Sequence, residues 1–245
     1  RTHPKFIGNL VKCAEKGGSK TGSVASKMLY YSSPHTINSA GITGLKDGAG
    51  RDRGVNAPDS VKWRREEEIF GPCAGAALYR KSALEDVKEA GDYFDPSFFA
   101  YFEDADLAYR LRLRGWKSLY CPSAMVLHHG RGTSGKLSKF SIYYGHANRL
   151  KTLLKNMPFW LILRFLPWIA LRQALEFFYC TFLQLSLAPI TARLHVLSEL
   201  GSILRKRRAI QSGRRISDSE LSKWLENPPL LTLFSERFNR AGKKT

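Results

Sequence analysis

The segment that most constrains this chain runs from residue 98 to 117 and reads FFAYFEDADLAYRLRLRGWK. An aromatic, extended stretch leads into the carboxylates Glu103, Asp104 and Asp106, after which the pattern becomes helical up to Gly115. Carboxylates at the mouth of an apolar segment lose part of their hydration, which costs free energy. We therefore expect these three to have a structural or chemical role. They either complement the positive end of a helix, with Asp104 as its cap, or form the acid-base centre of an enzyme.

The helix after these carboxylates has Leu107 and Leu111 four residues apart, which places both on one inward face. The same periodicity predicts that its arginines point mostly outward, namely Arg110, Arg112 and Arg114.

Helical and extended patterns alternate along the first 157 residues. KFIGNLVKCAEKG is predicted to be a helix and TGSVASKMLYY a strand, followed by a long loop from Ser32 to about Ser60 with at most a short hairpin. KSLYCPSAMVLHHG predicts two short strands broken at Pro122, and FSIYYGHANRLKTLLKNM a helix ending before Pro158. This alternation indicates an α/β fold.

The composition changes after Pro158, where a strongly apolar stretch is interrupted by Arg164, Arg172 and Glu176. Its longest uncharged run has 16 residues, from 177 to 192, which is short for a bilayer span of about 20 residues. We therefore favour helices lying on a membrane surface, over a packed soluble helix pair or a true span. Six basic residues within eleven positions (205–215) follow and suit anionic lipid headgroups.

The formal net charge of +18 favours anionic partners. A nucleic-acid-binding module is one such alternative, but the carboxylates at 103–106 would repel phosphate, so we expect no nucleic acid partner. Four cysteines without CxxC spacing fit a reducing compartment and no zinc module.

Two further segments carry possible chemistry. GPCAGAALYRKSAL begins with small residues, including Gly75 and Ala76, which allow a backbone to come close to a ligand. AMVLHHG places His128 and His129 at a strand end before a glycine-rich basic loop, where phosphate or a metal ion could bind.

Taken together, GPCAGAALYRKSAL, FDPSFFAYFEDADLAYRLRLRGWKSLYCPSAMVLHH and NRLKTLLKNMP resemble the C-terminal half of an inverting family 2 glycosyltransferase with the GT-A fold. The resemblance covers about residues 3–158, and the rhamnosyltransferase-like and galactofuranosyltransferase-like branches are the most similar. It implies a mixed sheet with flanking helices in residues 1–157, with a helical, membrane-associating extension in 158–245.

The resemblance also implies roles for individual residues. Asp104 would be the general base with Glu103 beside it, and His128 would contact a divalent metal, Mg²⁺ or Mn²⁺, or the donor diphosphate. Gly75 and Ala76 would line the acceptor side of the cleft. Tyr101 and Trp116 would stack on sugar faces or belong to the core; Asn148 is left out of the site, because an alanine precedes it where an arginine is common.

One departure from the family pattern stands out: the metal-binding DxD motif is absent, and we expect it just before Arg1. The chain therefore resembles a fragment that would not turn over alone. The implied partners are a nucleotide-sugar donor, with rhamnose the first choice and galactofuranose the second, and a glycan or polyprenyl-linked acceptor at the cytoplasmic face of a membrane. An inactive membrane-bound scaffold remains the alternative.

Overall fold

A computed structural model describes residues 2–129 and 138–228 of the chain. The fold is α/β, as the sequence predicts. Its eight described strands are β1 (Thr21–Tyr30), β2 (Ser33–Ser39), β3 (Ile42–Leu45), β4 (Gly50–Asp52), β5 (Glu67–Ile69), β6 (Ala77–Tyr79), β7 (Lys117–His128) and β8 (Leu225–Glu226).

Eight α-helices surround these strands in the described part of the chain. They are α1 (Phe6–Lys16), α2 (Lys81–Asp86), α3 (Glu103–Leu113), α4 (Lys139–Asn156), α5 (Phe159–Phe178), α6 (Ala188–Ser198), α7 (Leu200–Ser212) and α8 (Asp218–Ser222). Single turns of 3₁₀ helix occupy Val61–Arg64, Ala74–Ala76 and Pro96–Phe98.

The main sheet is mixed and is centred on β1. β1 pairs parallel with β7 on one side and antiparallel with both β2 and β6 on the other, while β5 pairs antiparallel with the far edge of β7. β1 is buried over nearly its whole length, which agrees with its run of small and apolar residues. Its one lysine, Lys27, is buried against the carboxylate of Asp59 at 3.0 Å.

The segment from 32 to 60 differs from the predicted long loop. It forms β2, β3 and β4, and β3 pairs antiparallel with β4 and parallel with β8 in a second, three-stranded sheet. The expected short hairpin is formed by β3 and β4. The rest of the prediction was wrong: β2 was missed because it begins with exposed residues, so that its pairing with β1 rather than a local apolar pattern defines it.

The two strands predicted around Pro122 are one strand in the structure. β7 is continuous, but its pairing with β1 shifts register between Cys121 and Met125, so that three residues bulge out of the ladder. Because proline donates no hydrogen bond, it is accommodated at such a bulge without ending the strand.

The expected outward orientation of the α3 arginines was wrong for two of them. Arg110 is 2% exposed and donates to Asp106 and to the carbonyl oxygens of Val87 and Tyr93. Arg112 is 4% exposed, pairs with Glu68 and stacks its guanidinium group on the ring of Trp224. Full pairing of both guanidinium groups makes their burial tolerable.

The helices after residue 158 pack on the α/β body. The side of α5 that carries Leu161, Phe165 and Ile169 enters the same hydrophobic cluster as Tyr109 of α3 and Ile42 of β3. The opposite side of α5 and much of α6 are exposed and apolar. Within the described ranges, no helix combines the length and apolarity needed to cross a bilayer.

Candidate active site

The loop that leads into α3 has a strained backbone. Phe99, Tyr101 and Phe102 all adopt positive φ angles of 55°, 67° and 68°, a region that bulky residues occupy only when their surroundings hold them there. The amide nitrogen of Asn148 on α4 lies 2.7–2.9 Å from the carbonyl oxygens of Phe98, Ala100 and Tyr101. Asn148 therefore fixes the loop, and with it the start of α3.

Asp104 lies in the first turn of α3 but does not cap the helix. The N-cap position belongs to Phe102, and no side chain caps it. Asp104 instead accepts hydrogen bonds from the backbone N–H of Ala74, at 3.2 Å, and from that of Ala105, at 2.8 Å. Its carboxylate is thus tied to the small-residue segment.

That segment can reach Asp104 because its glycines admit close approach. A Cβ added to Gly71 would stand 2.3 Å from the Cβ of Ala108 on α3. Any larger residue at 71 would push the Ala74–Ala76 turn away from the helix. The small residues therefore allow a close backbone approach to α3, and their predicted approach to a ligand stays a prediction.

The pKa of Asp104 is raised to about 7. Burial is the largest cause, and the neighbouring carboxylates of Glu103 and Asp52 also raise it, while the two backbone hydrogen bonds oppose the rise. A carboxyl group of this kind exchanges its proton near neutral pH, which is the property required of a general base.

Asp106, two residues on, has a structural environment instead. It is fully buried and bonds Arg110 at 2.9 Å, Lys155 at 2.9 Å and Asn156 at 2.7 Å. These partners lower its pKa despite its burial. Asp104 and Asp106 thus differ sharply in environment although one residue separates them.

His128, at the end of β7, approaches the same region. Its Nδ1 lies 3.0 Å from Oδ1 of Asn38, and a Cβ added to Gly75 would stand 3.9 Å from its Nε2. An amide oxygen only accepts hydrogen bonds, so the contact with Asn38 fits the ring tautomer that carries its proton on Nδ1. That tautomer suits a metal ligand facing Gly75.

The described residues contain no group of three or more His, Cys, Asp or Glu side chains arranged to hold a metal ion. His128 therefore forms no such site with other described residues, and its role toward a metal ion stays a prediction.

The remaining predicted site residues fall into two places. Ala76 belongs with Gly75 to the turn beside Asp104, and Tyr101 lies in the loop before α3, 6.3 Å from the ring of Phe140. Trp116 lies beyond the opposite end of α3, about 16 Å along an 11-residue helix, where its indole N–H donates to Asp86. The structure therefore brings all the predicted residues together near Asp104 except Trp116.

Two positioning residues were not predicted for the site: Asn148 was left out because an alanine precedes it, and Lys155 was missed. Lys155 is buried and pairs with Glu89, Asp95 and Asp106. One signal in the sequence could have revealed both residues. The side of α4 that should be apolar instead carries polar residues at helical spacing, at 148, 151, 152, 155 and 156.

No protein-family model matches the chain. Two curated relatives from Mycobacterium tuberculosis, of strains CDC 1551 / Oshkosh and ATCC 25618 / H37Rv, match a stretch of 85 residues at 46% identity. Each is described as an N-acetylglucosaminyl-diphospho-decaprenol L-rhamnosyltransferase. The match confirms the resemblance to a rhamnosyltransferase-like glycosyltransferase. The matched stretch is 32% of this chain and 26% of each relative, so the chain spans only part of the relatives' length.

Proposed function

We propose that the polypeptide carrying this chain transfers a sugar, with rhamnose the first choice, from a nucleotide-diphospho-sugar to a hydroxyl group of a lipid-linked glycan. Asp104 carries this proposal, because it is a partly buried carboxylate with a pKa raised to about 7, held by a strained loop and a backbone N–H. The named activity of the relatives supports both the sugar and the polyprenyl-diphosphate acceptor.

In this mechanism Asp104 removes the proton from the acceptor hydroxyl as its oxygen attacks the anomeric carbon. Attack from the face opposite the leaving diphosphate inverts the configuration at that carbon. The bonds from Ala74 and Ala105 keep the carboxylate in one orientation, which lowers the entropic part of the barrier.

His128 would hold one position of a divalent metal, Mg²⁺ or Mn²⁺, with further ligands from residues outside the described chain. The ion would offset the charge that develops on the leaving diphosphate. The contact of Nδ1 of His128 with Asn38 fits a tautomer in which Nε2, on the side of the Gly75 turn, would bind such an ion.

The second part of the proposal is contact with an anionic membrane surface at the cytoplasmic face. Many exposed apolar side chains lie on α5, on α6 and on the segment between them; we call this set the apolar face: Phe159, Trp160, Leu163, Leu166, Leu171, Phe178, Phe182, Leu183, Leu185, Leu187, Ile190, Leu194 and Leu197. Trp160 is 70% exposed and Leu194 61% exposed. A surface this apolar favours burial in another medium.

Six basic residues within 205–215, which we call the basic cluster, lie beside the apolar face. A cavity of about 390 Å³ between the start of α5 and α7 is lined by Phe159 and Trp160 together with Arg207, Arg208 and Arg214. Aromatic rings next to guanidinium groups suit the interface of an anionic bilayer, where the rings enter the headgroup layer and the cations meet phosphate. The net charge of +18 acts in the same direction.

Transfer is tested with the longest natural polypeptide that contains this chain, membranes, Mg²⁺ or Mn²⁺ and a panel of nucleotide-sugars. Release of nucleotide from one donor should fall at least a hundredfold in Asp104→Asn and should not change in Asp92→Asn, a control at an exposed position. Unchanged release in Asp104→Asn would remove the base assignment. An absence of release with every donor, in the presence of an N-acetylglucosaminyl-diphospho-lipid, would favour the inactive scaffold.

Membrane contact is tested by flotation of the chain with vesicles of phosphatidylglycerol and phosphatidylcholine. Trp160→Asp combined with Leu194→Asp should abolish flotation, because each change removes roughly 2 kcal/mol of apolar burial. The control Val61→Asp changes a 68% exposed apolar residue outside the apolar face and should leave flotation intact. Equal flotation of both variants would refute this contact.

A further inference from the structure

Two buried polar atoms near the start of α3 have no hydrogen-bond partner among the described residues. They are Oε2 of Glu103 and the hydroxyl oxygen of Tyr79. A buried polar group that loses water without gaining a partner costs stability, so such atoms are rare in folded proteins. Two of them near one candidate base indicate that a polar ligand completes them.

Tyr79 is held firmly in place. It ends β6, where it pairs with Ser23 of β1, and its ring packs against the cluster that contains Leu107 and Leu111 of α3. Phe94 meets the ring edge-on, with a centroid distance of 6.2 Å. The ring therefore has little freedom to turn its hydroxyl elsewhere.

The hydroxyl of Tyr79 lies close enough to the α3 carboxylates to feel their charge. Burial, followed by the charges of Asp104, Cys73 and Glu103, raises the pKa of Tyr79 well above its usual value. The group is therefore a protonated hydroxyl at every physiological pH, and it can donate a hydrogen bond. Glu103, when ionised, can only accept one.

We propose that Tyr79 and Glu103 together bind one hydroxyl group of the acceptor sugar, adjacent to the hydroxyl that Asp104 deprotonates. A sugar hydroxyl accepts from Tyr79 while donating to Oε2 of Glu103, so one group satisfies both orphan atoms. This inference rests on the proposed function and specifies its acceptor: a sugar with two neighbouring hydroxyls, only one of which is glycosylated.

The pairing makes the site selective. A deoxy sugar would leave both protein atoms unpaired, and a methyl ether could accept from Tyr79 but could not donate to Glu103. Sites built around such pairs reject analogues that lack the hydroxyl much more strongly than apolar pockets reject a missing methylene group.

The probe is an N-acetylglucosaminyl-diphospho-lipid with a short prenyl chain, whose sugar has one pair of neighbouring hydroxyls, at C3 and C4. Tyr79→Phe should raise the acceptor KM, and the acceptor Kd measured by titration calorimetry, about tenfold, which corresponds to about 1.4 kcal/mol. Tyr30→Phe is the matched control, because the Tyr30 hydroxyl bonds Asn56 at an exposed position.

The two monodeoxy analogues of the probe supply the decisive comparison. One lacks the attacked hydroxyl and is not glycosylated. The other leaves both atoms unpaired, so it should bind at least about a hundredfold more weakly than the probe to the parent, but equally well to the parent and to Tyr79→Phe. An equal tenfold loss in Tyr79→Phe with the probe and with both deoxy analogues would show that the ring, not the hydroxyl pair, is responsible, and would overturn the inference.

Thermal unfolding separates this role from a structural one. Since the Tyr79 hydroxyl has no described protein partner, Tyr79→Phe should not lower the Tm of the free protein, whereas bound probe should raise the Tm of the parent more than that of the variant. A lower Tm without probe, or unchanged KM and Kd, would overturn the inference.

The outcomes also separate this inference from the proposed function. Transfer that is lost in Asp104→Asn but unaffected in Tyr79→Phe removes only the Tyr79–Glu103 subsite. Transfer unaffected in Asp104→Asn removes the proposed base. If the parent neither binds nor glycosylates the probe, both proposals fail.

Discussion

Asp104 is a carboxyl group whose ionisation is opposed by its folded environment, so neutralising it should stabilise the protein near neutral pH. Folding shifts its pKa upward, from 3.8 to about 7. Between these two values the native state binds a proton that the unfolded state has released, and the stability of the parent therefore falls as the pH rises. Below about pH 4 both states are protonated and the effect vanishes.

The size of the effect follows from the pKa difference. Three pH units at 1.36 kcal/mol each give about 4 kcal/mol above pH 7. Asp104→Asn keeps an oxygen that can accept the N–H of Ala74 but carries no charge. We therefore expect this variant to be more stable than the parent by up to about 4 kcal/mol at pH 8, and by close to zero at pH 4.

Urea unfolding followed by tryptophan fluorescence at pH 4, 5, 6, 7 and 8 measures this difference directly. Taking the difference between variant and parent removes the contributions of other titrating groups, such as Asp95, whose pKa is lowered mainly by Lys155 against the effect of burial. Asp92→Asn, at an exposed position, should show no comparable pH trend. A difference that does not change with pH, or a variant less stable than the parent at pH 8, would refute the reasoning.

Three further predictions concern the same region. The kcat/KM of the active polypeptide should rise with pH and level off above about pH 7, as Asp104 becomes ionised; a flat profile in stopped assays would contradict this. Asp106→Asn should lower the free energy of unfolding by about 1.5–3 kcal/mol, because Lys155 would lose one of its three buried counter-ions and keep Glu89 and Asp95, and chemical denaturation would detect it. Asn148→Ala should cost about 1–3 kcal/mol and lower kcat while the pH profile keeps its midpoint, since it frees the Tyr101 loop without touching Asp104; an unchanged kcat would mean that the loop holds itself.

The position of the candidate site was predictable from sequence because its signals are local. The aromatic run, the adjacent carboxylates and the following helical period all lie within 98–117, and α3 begins at the first of these carboxylates, Glu103. The different roles of Asp104 and Asp106 were not predictable in this way. They depend on Lys155 and Asn156, which are about 50 residues away in sequence and meet Asp106 only after α4 packs on α3.

The buried arginines illustrate the same limit. Helical periodicity treats Arg110 and Arg112 as surface residues, because an isolated helix would expose them. In the folded chain, carbonyl oxygens of Val87 and Phe70 accept their hydrogen bonds. Those acceptors belong to other segments, and no pattern within α3 reveals them.

The pairing of β8 with β3 gives the helical region after α4 two attachments to the α/β body. Gly44 lies opposite Leu225, and the backbone N–H of Lys46 donates to the carbonyl oxygen of Glu226. Helices α5 to α8 are therefore attached to the α/β body at both ends of the segment. Under the proposed membrane contact, a segment attached at both ends would hold Asp104 at one fixed distance from the lipid. The protein would then select acceptors by length. It would favour glycans whose reacting hydroxyl lies at that distance from the bilayer and disfavour those extended by a further sugar.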